Sequence, residues 1–246
     1  MHIPIYTQTI PYLTTAQMIE VDRAMIEDYH IELIQMMENA GRNLAHLARI
    51  RFFEGDLTGK NVAVLAGTGG NGGGALVCAR RLHNWGAQAQ VFVTKPNDQF
   101  KGVPAHQLDI LHRMGVAVNQ VDTLADAIHP DLIIDGLIGY SLKGAPRGTA
   151  ADLIEWANAR HVDILALDAP SGVDTTTGTV FNPAIRATAT MTLALPKEGL
   201  RAAGVAPHVG ELYLADISVP PELYANPVLN LQVPLIFTKS EIVRLK

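Results

Sequence analysis

The stretch Val62-Ala63-Val64-Leu65-Ala66-Gly67-Thr68-Gly69-Gly70-Asn71-Gly72-Gly73-Gly74-Ala75 constrains this chain most. It opens as a run of small and β-branched apolar residues, the pattern of a strand buried on both faces of a parallel sheet. It then turns glycine-rich, and Ala75, Leu82 and Gly86 follow at helical spacing, predicting a helix over 75–86. Strand, glycine loop and helix is the context in which backbone N–H groups and a helix N-terminus hold a phosphate. The letters satisfy G-x-G-x-x-G, but the next strand, Ala89–Thr94, ends in Lys95-Pro96-Asn97. A dehydrogenase wants a ribose-binding acid there, so a different nucleotide site is the better reading. Packing alone is the bland alternative. Five glycines among the six residues from Gly69 to Gly74 exceed what a turn requires.

Length and composition narrow the class. The 246 residues suit one large α/β domain spanning residues 1–246. Apolar residues make up 48% and charged residues 17%, which fills a core and argues against disorder. The net charge of −5 is spread without a basic run, so nucleic acid is not an expected partner. No apolar run approaches the ~20 residues of a membrane span. The start lacks the basic and apolar regions of a secretory signal. The single Cys78 cannot close an internal disulfide and suits a reducing compartment, so a soluble cytoplasmic protein is expected.

In chain order, Thr14 or Thr15 caps a first helix with Met18, Val21 and Met25 on one face. A second helix runs from about Ile31 to Phe53, with Leu33, Met36, Ala40, Leu44 and Leu47 on its apolar stripe. Gly41 within it implies close approach to a helix, a subunit or a ligand. Strands are predicted at Ala89–Thr94, Val116–Asn119, Leu132–Asp135, Ile164–Asp168, Thr188–Leu195 and Glu211–Ala215. Helices are predicted at Val103–Met114, Leu124–Ile128 and Ala150–Arg160. This alternation predicts a largely parallel sheet covered on both faces; the last two strands, with no obvious helix between them, leave room for a mixed C-terminal end. Tyr12, Leu13, Met36 and Met37 offer apolar surface for dimerisation through the N-terminal helices.

Ligands of such sheets bind beyond the carboxyl ends of the strands. The loops 67–75, 135–148, 168–178 and the turn after Leu195 should therefore converge. Asp135 and Asp168 each end an apolar strand, and Pro170 and Gly172 fix the turn that holds Asp168 and Ser171. A partly buried Asp168 suits proton transfer. Lys197 is expected over the same site. Lys143 and Arg147 bring positive charge to where a nucleotide phosphate would sit. Asn71, Asp135 and Ser171 offer hard oxygens from three loops, enough with backbone carbonyls for a monovalent or divalent cation. The nine scattered histidines give no zinc spacing, and no G-x-S-x-G elbow is present.

Together the segments resemble a known family. Glu38-Asn39-Ala40-Gly41, the Gly67–Val77 stretch, Asp135-Gly136-Leu137-Ile138-Gly139 with Pro146-Arg147-Gly148, Asp168-Ala169-Pro170-Ser171-Gly172-Val173-Asp174 and Pro196-Lys197 occur in order. This looks like the YjeF N-terminal domain family, the NAD(P)H-hydrate epimerases, over roughly Thr14 to Ser218. The resemblance implies a Rossmann-like three-layer αβα sandwich, often a homodimer, that interconverts the R and S forms of hydrated NADH and NADPH. It implies a potassium ion at Asn71, Asp135 and Ser171. It places the hydrated nucleotide at Gly70, Asn71, Gly72, Gly73 and Gly74, at Gly139, Tyr140, Ser141, Leu142, Lys143, Gly144 and Ala145, and at Asp168. Asp168 would be the proton-transfer residue, with Lys197 as a second catalytic candidate. The first loop departs from the family's Asn-Asn-Gly-Gly-Asp-Gly: Gly70 and Gly74 stand for Asn and Asp, and Ala75 for the last Gly. A non-catalytic nucleotide-binding or scaffold protein of the same fold is the alternative.

Overall fold

The computed structural model describes residues 2–120 and 129–246. Nine strands form one sheet among these residues: β1 (Ile5–Tyr6), β2 (Asn61–Ala66), β3 (Gln88–Val93), β4 (Ala117–Gln120), β5 (Leu132–Gly136), β6 (Ile164–Leu167), β7 (Ala189–Leu193), β8 (Glu211–Ala215) and β9 (Ile242–Leu245). Their order across the sheet is β1-β9-β8-β7-β6-β5-β2-β3-β4. Every neighbouring pair is parallel except β8 and β9. The helices are α1 (Thr15–Glu27), α2 (Leu33–Phe53), α3 (Gly70–Asn84), α4 (Gly102–Arg113), α5 (Thr149–Ala159) and the one-turn α6 (Ala206–Val209) and α7 (Pro221–Tyr224).

The apolar runs are explained by burial on both faces. Along β2, Val62, Val64 and Ala66 pack with α2, α3 and α4, while Ala63 and Leu65 pack with α5. Strand β5 divides in the same way, Leu132 and Ile134 against Ile133. Helix α1 lies over the β7–β9 end, where Met18, Val21 and Met25 meet Leu214 and Val243. Its start is a capping box: the Thr14 hydroxyl accepts from the Gln17 N–H, and the Gln17 side chain accepts from the Thr14 N–H. Helix α2 packs tightly on α3 because Gly41 lets the Gly74 carbonyl and Val77 into the space of a side chain.

Most predicted boundaries lie within a residue or two of the observed ones. The helix expected from Ala75 begins five residues earlier, at Gly70, inside the glycine run. Strand β7 is shorter than expected, and a one-turn helix precedes β8. The edge strand β1 and its neighbour β9 carry too few residues to show a period, so the sequence pattern does not mark them. The predicted helix over Leu124–Ile128 lies outside the described residues. The surface assigned to dimerisation is mostly consumed within the chain: Leu13, Met36 and Met37 are 0%, 4% and 3% exposed. Leu13 is drawn in by backbone pairing, its N–H bonding Pro196 O at 2.8 Å and its carbonyl receiving Glu198 N–H at 2.9 Å. No helix among the described residues is long and apolar enough to cross a membrane.

Candidate active site at the strand-order reversal

From β2 the chain proceeds to β3 and β4 on one side, then returns to β5 on the other side of β2. The loops after β2 and β5 therefore diverge, and such a point opens a crevice at the carboxyl end of the sheet. They touch at their roots: Gly67 N–H bonds Gly136 O at 3.1 Å, and a Cβ on Gly67 would run into the Leu137 carbonyl. Beyond them lies a cleft of about 620 Å³. Gly67–Asn71 form one wall, Leu137–Ser141 another, and Asp168 lies in it.

Asp168 follows the last residue of β6 with φ +65°, a left-handed backbone that aspartate tolerates better than most residues. Its N–H bonds Met191 O at 2.8 Å, so β7 holds the turn. The carboxylate is 4% exposed. Its Oδ1 accepts from the fully buried Lys197 ammonium, and its Oδ2 accepts from Tyr140 N–H at 3.3 Å. Lys197 also donates to Leu193 O at 2.8 Å and Thr192 Oγ1 at 3.3 Å, so all its polar contacts are internal. Ala194, also left-handed at φ +62°, turns the chain after β7 toward Lys197.

Asp135, at the end of the adjacent strand, is fully buried, but its partners are neutral. Ser171 Oγ donates to Oδ1 at 2.6 Å, Ser171 N–H to Oδ2 at 2.8 Å, and Leu137 N–H to Oδ1 at 3.1 Å. Burial pushes this carboxyl up to about 6 against the pull of those donors. No cationic side chain touches it among the described residues. The Asn71 carbonyl lies 3.3 Å from where a Cβ on Gly136, next to Asp135, would be, and its side chain and the Asp168 Oδ2 are both about 3.2 Å from where a Gly139 Cβ would be. Its Nδ2 is buried without a partner. The two ends of an amide are interchangeable in shape, so that position also takes an oxygen. A buried carboxylate without a counter-ion, a hydroxyl and an unpartnered amide fit a cation. With one carboxylate and two neutral groups, low charge is favoured. Among the described residues no cluster of three His, Cys, Asp or Glu suits a metal.

The cleft takes up part of the predicted set. Gly70, Asn71, Gly139, Tyr140, Ser141, Arg147 and Asp168 line it. Leu142, Lys143, Gly144 and Ala145 do not line it. Gly72, Gly73 and Gly74 are buried behind the wall, where added Cβ atoms would strike the Gly67 backbone, Met37 and Leu167. The glycine run thus has two uses: Gly69 and Gly70 face open space, and the next three let α3 pack. Lys95, Thr68 and Asp22 also line the cleft, beyond the residues the sequence motifs mark. Asp22 was legible in one respect, as a carboxylate four residues after Met18 and three before Met25, on the buried stripe of α1. The Tyr140 hydroxyl donates to its Oδ2.

A family profile described as YjeF-related protein N-terminus matches residues 33–199. An NAD(P)H-hydrate epimerase of Dehalogenimonas lykanthroporepellens is 41% identical over 231 residues, 93% of this chain and 91% of that one. A bifunctional NAD(P)H-hydrate repair enzyme of Moorella thermoacetica is 35% identical over 225 residues, covering 89% of this chain but 42% of the longer protein. The crystal structure of yeast YNL200c superposes with a TM-score of 0.81 at 23% identity, covering 96% of this chain and all of that one. The profile match over more than half of the chain and the 41% identity over nearly the whole of both proteins decide the relationship: the chain belongs to the family of YjeF-related protein N-termini.

Proposed function

We propose that this chain is an NAD(P)H-hydrate epimerase that interconverts the R and S forms of hydrated NADH and NADPH. The observation that carries the reading is Asp168, a carboxylate pinned by Lys197 and Tyr140 N–H in a cleft walled by glycine backbone. The substrate carbon carries a hydroxyl next to a ring nitrogen. Asp168 takes or returns the proton as that hydroxyl leaves and comes back. Lys197 orients it by occupying Oδ1 and leaving Oδ2 toward Tyr140 and Gly139. Gly69 and Gly70, at the start of α3, leave room for the nucleotide's phosphates, and Arg147 and Lys95 line the same cleft. The glycine at 74 leaves no hole, because Leu167 fills that space, 2.8 Å from where a Cβ would be.

Potassium belongs to the proposal, held by Asn71, Asp135 and Ser171. When bound it supplies positive charge beside the substrate. A homodimer is also proposed, with Ile19, Ile26 and Tyr29, exposed on and just after α1, as its apolar face; the monomer mass by light scattering at micromolar concentration would refute it. A cytoplasmic location is supported by Cys78, buried and unpaired.

The decisive assay mixes purified protein with the S and R hydrates in potassium and follows interconversion by chromatography. Turnover faster than the spontaneous rate is expected. A rate no greater than spontaneous rejects the enzyme, and calorimetric binding of NADP or ADP-ribose without turnover would then favour a nucleotide-binding protein.

A further inference from the structure

The cleft holds a second carboxylate, Asp22 of α1. Tyr140 joins it to the first. The Tyr140 N–H lies on Asp168 Oδ2, and the phenol at the far end of the same residue donates to Asp22 Oδ2. The two acids therefore stand at the backbone and phenol ends of one residue along a single cleft. Their partners differ. Asp168 has the Lys197 ammonium on Oδ1, whereas Asp22 has a hydroxyl on one oxygen and no ion pair among the described residues.

Epimerisation at a carbon bearing a hydroxyl has a geometric demand. The hydroxyl must leave from one face of the ring and water must return to the other. A proton is needed on the first face and must be removed on the second. One carboxylate cannot serve both faces of a ring held still.

We propose that Asp22 is a second acid–base residue of this site, working on the face of the substrate ring opposite Asp168. This rests on the epimerase reading. In one direction the Asp22 carboxylic acid gives its proton to the hydroxyl oxygen. The C–O bond breaks, water leaves with the bonding pair, and the ring nitrogen's lone pair forms a C=N bond, leaving an iminium cation. Water then adds to the other face. The C=N pair returns to nitrogen, and the proton of the added water passes to the Asp168 carboxylate. One proton has moved from Asp22 to Asp168, and turnover of the opposite epimer moves it back.

The surroundings of Asp22 suit a proton donor. Burial pushes its carboxyl up, Tyr140 and Lys197 act against that, and Asp168 adds to it. The hydroxyl of Tyr224 on α7 is buried without a partner and is electrostatically coupled to Asp22. A pH profile of Asp22 thus reads Tyr140, Lys197, Asp168 and Tyr224 as well.

The test measures kcat and KM against pH for the parent, Asp22→Asn and Tyr140→Phe, with each epimer as substrate. For Asp22→Asn, kcat should fall about 10²–10⁴-fold with KM changed only a few-fold, and one limb of the pH profile should vanish. For Tyr140→Phe that limb should remain and move to higher pH, which keeps the test open if Asp22→Asn does not fold. Asp22→Asn turnover within threefold of the parent, or a limb that Tyr140→Phe leaves unmoved, overturns the assignment while leaving the epimerase reading intact. A parent that does not interconvert the hydrates overturns both.

Discussion

Asp135 and Asp168 end adjacent parallel strands, and both are withdrawn from water. Each accepts backbone N–H groups from the loops beyond. They differ in counter-charge. Asp168 has one, the Lys197 ammonium, buried with it. Asp135 has a hydroxyl and two amides instead, and its carboxyl is pushed up to about 6. A site with its own cation is closed to another, while a buried carboxylate without one favours a mobile ion. In the proposed function, the contrast separates the proton-transfer group from the cation ligand on neighbouring strands.

The largest expected effect comes from splitting the Asp168–Lys197 pair. Removing one member leaves a buried charge uncompensated, which costs about 3–5 kcal/mol. Urea unfolding of Lys197→Met and Asp168→Asn should each show a loss of that order. The double variant should lose far less than the sum, because no stranded charge remains. Additive losses would mean that the two groups are solvated separately. Asp168→Asn therefore has two effects, and its activity loss should be read beside its stability.

Potassium sharpens the other side. Melting of the parent in potassium chloride and in tetramethylammonium chloride of equal ionic strength should differ by roughly 1–3 kcal/mol, or about 2–8 °C, with potassium at about 5 to 150 times its dissociation constant. Asp135→Asn should abolish the difference, and Lys197→Met, if folded, should retain it. An equal potassium response in the parent and Asp135→Asn would place the ion elsewhere.

The smallest effect belongs to a carboxylate paired at the surface. Glu211 on β8 accepts from Arg51 Nε at 2.8 Å and Tyr213 OH at 2.7 Å, and the Arg51 guanidinium leads in holding it down to about 2. A lowered carboxyl stabilises above its ordinary value, and that contribution fades as pH falls toward about 2. Solvent screening limits it to about 1 kcal/mol. The stability difference between the parent and Glu211→Gln should thus be about 1 kcal/mol at pH 7 and close to zero near pH 2. A difference independent of pH would assign it to packing.

Much of the fold was legible because it rests on short-range pattern. The apolar runs at 62–66, 132–134 and 164–167 mark strands buried on both faces, and Asp135 and Asp168 close two of them. The site was legible where loops follow those strands. It was less so where function depends on which way a backbone faces. Gly70 and Gly72 are identical letters, yet one meets open cleft and the other the Gly67 backbone. Asp22 is legible only in its place on the apolar stripe of α1; its role depends on Tyr140, on a loop between β5 and α5, which no local pattern brings to it.

What the amino-acid sequence determined by itself is the alternation of strands and helices, the strand ends that bear acids, and the glycine-rich turn. Periodicity and residue size act within a few positions, so they can be read along the chain. Tertiary structure alone decided the charge partners. Lys197 meets Asp168 because Ala194 turns back after β7, and Tyr140 bridges two acids because α1 folds over the β7–β9 end of the sheet. Electrostatic pairing in a dry interior depends on distance in space and on loss of water, and neither is a property of neighbouring letters.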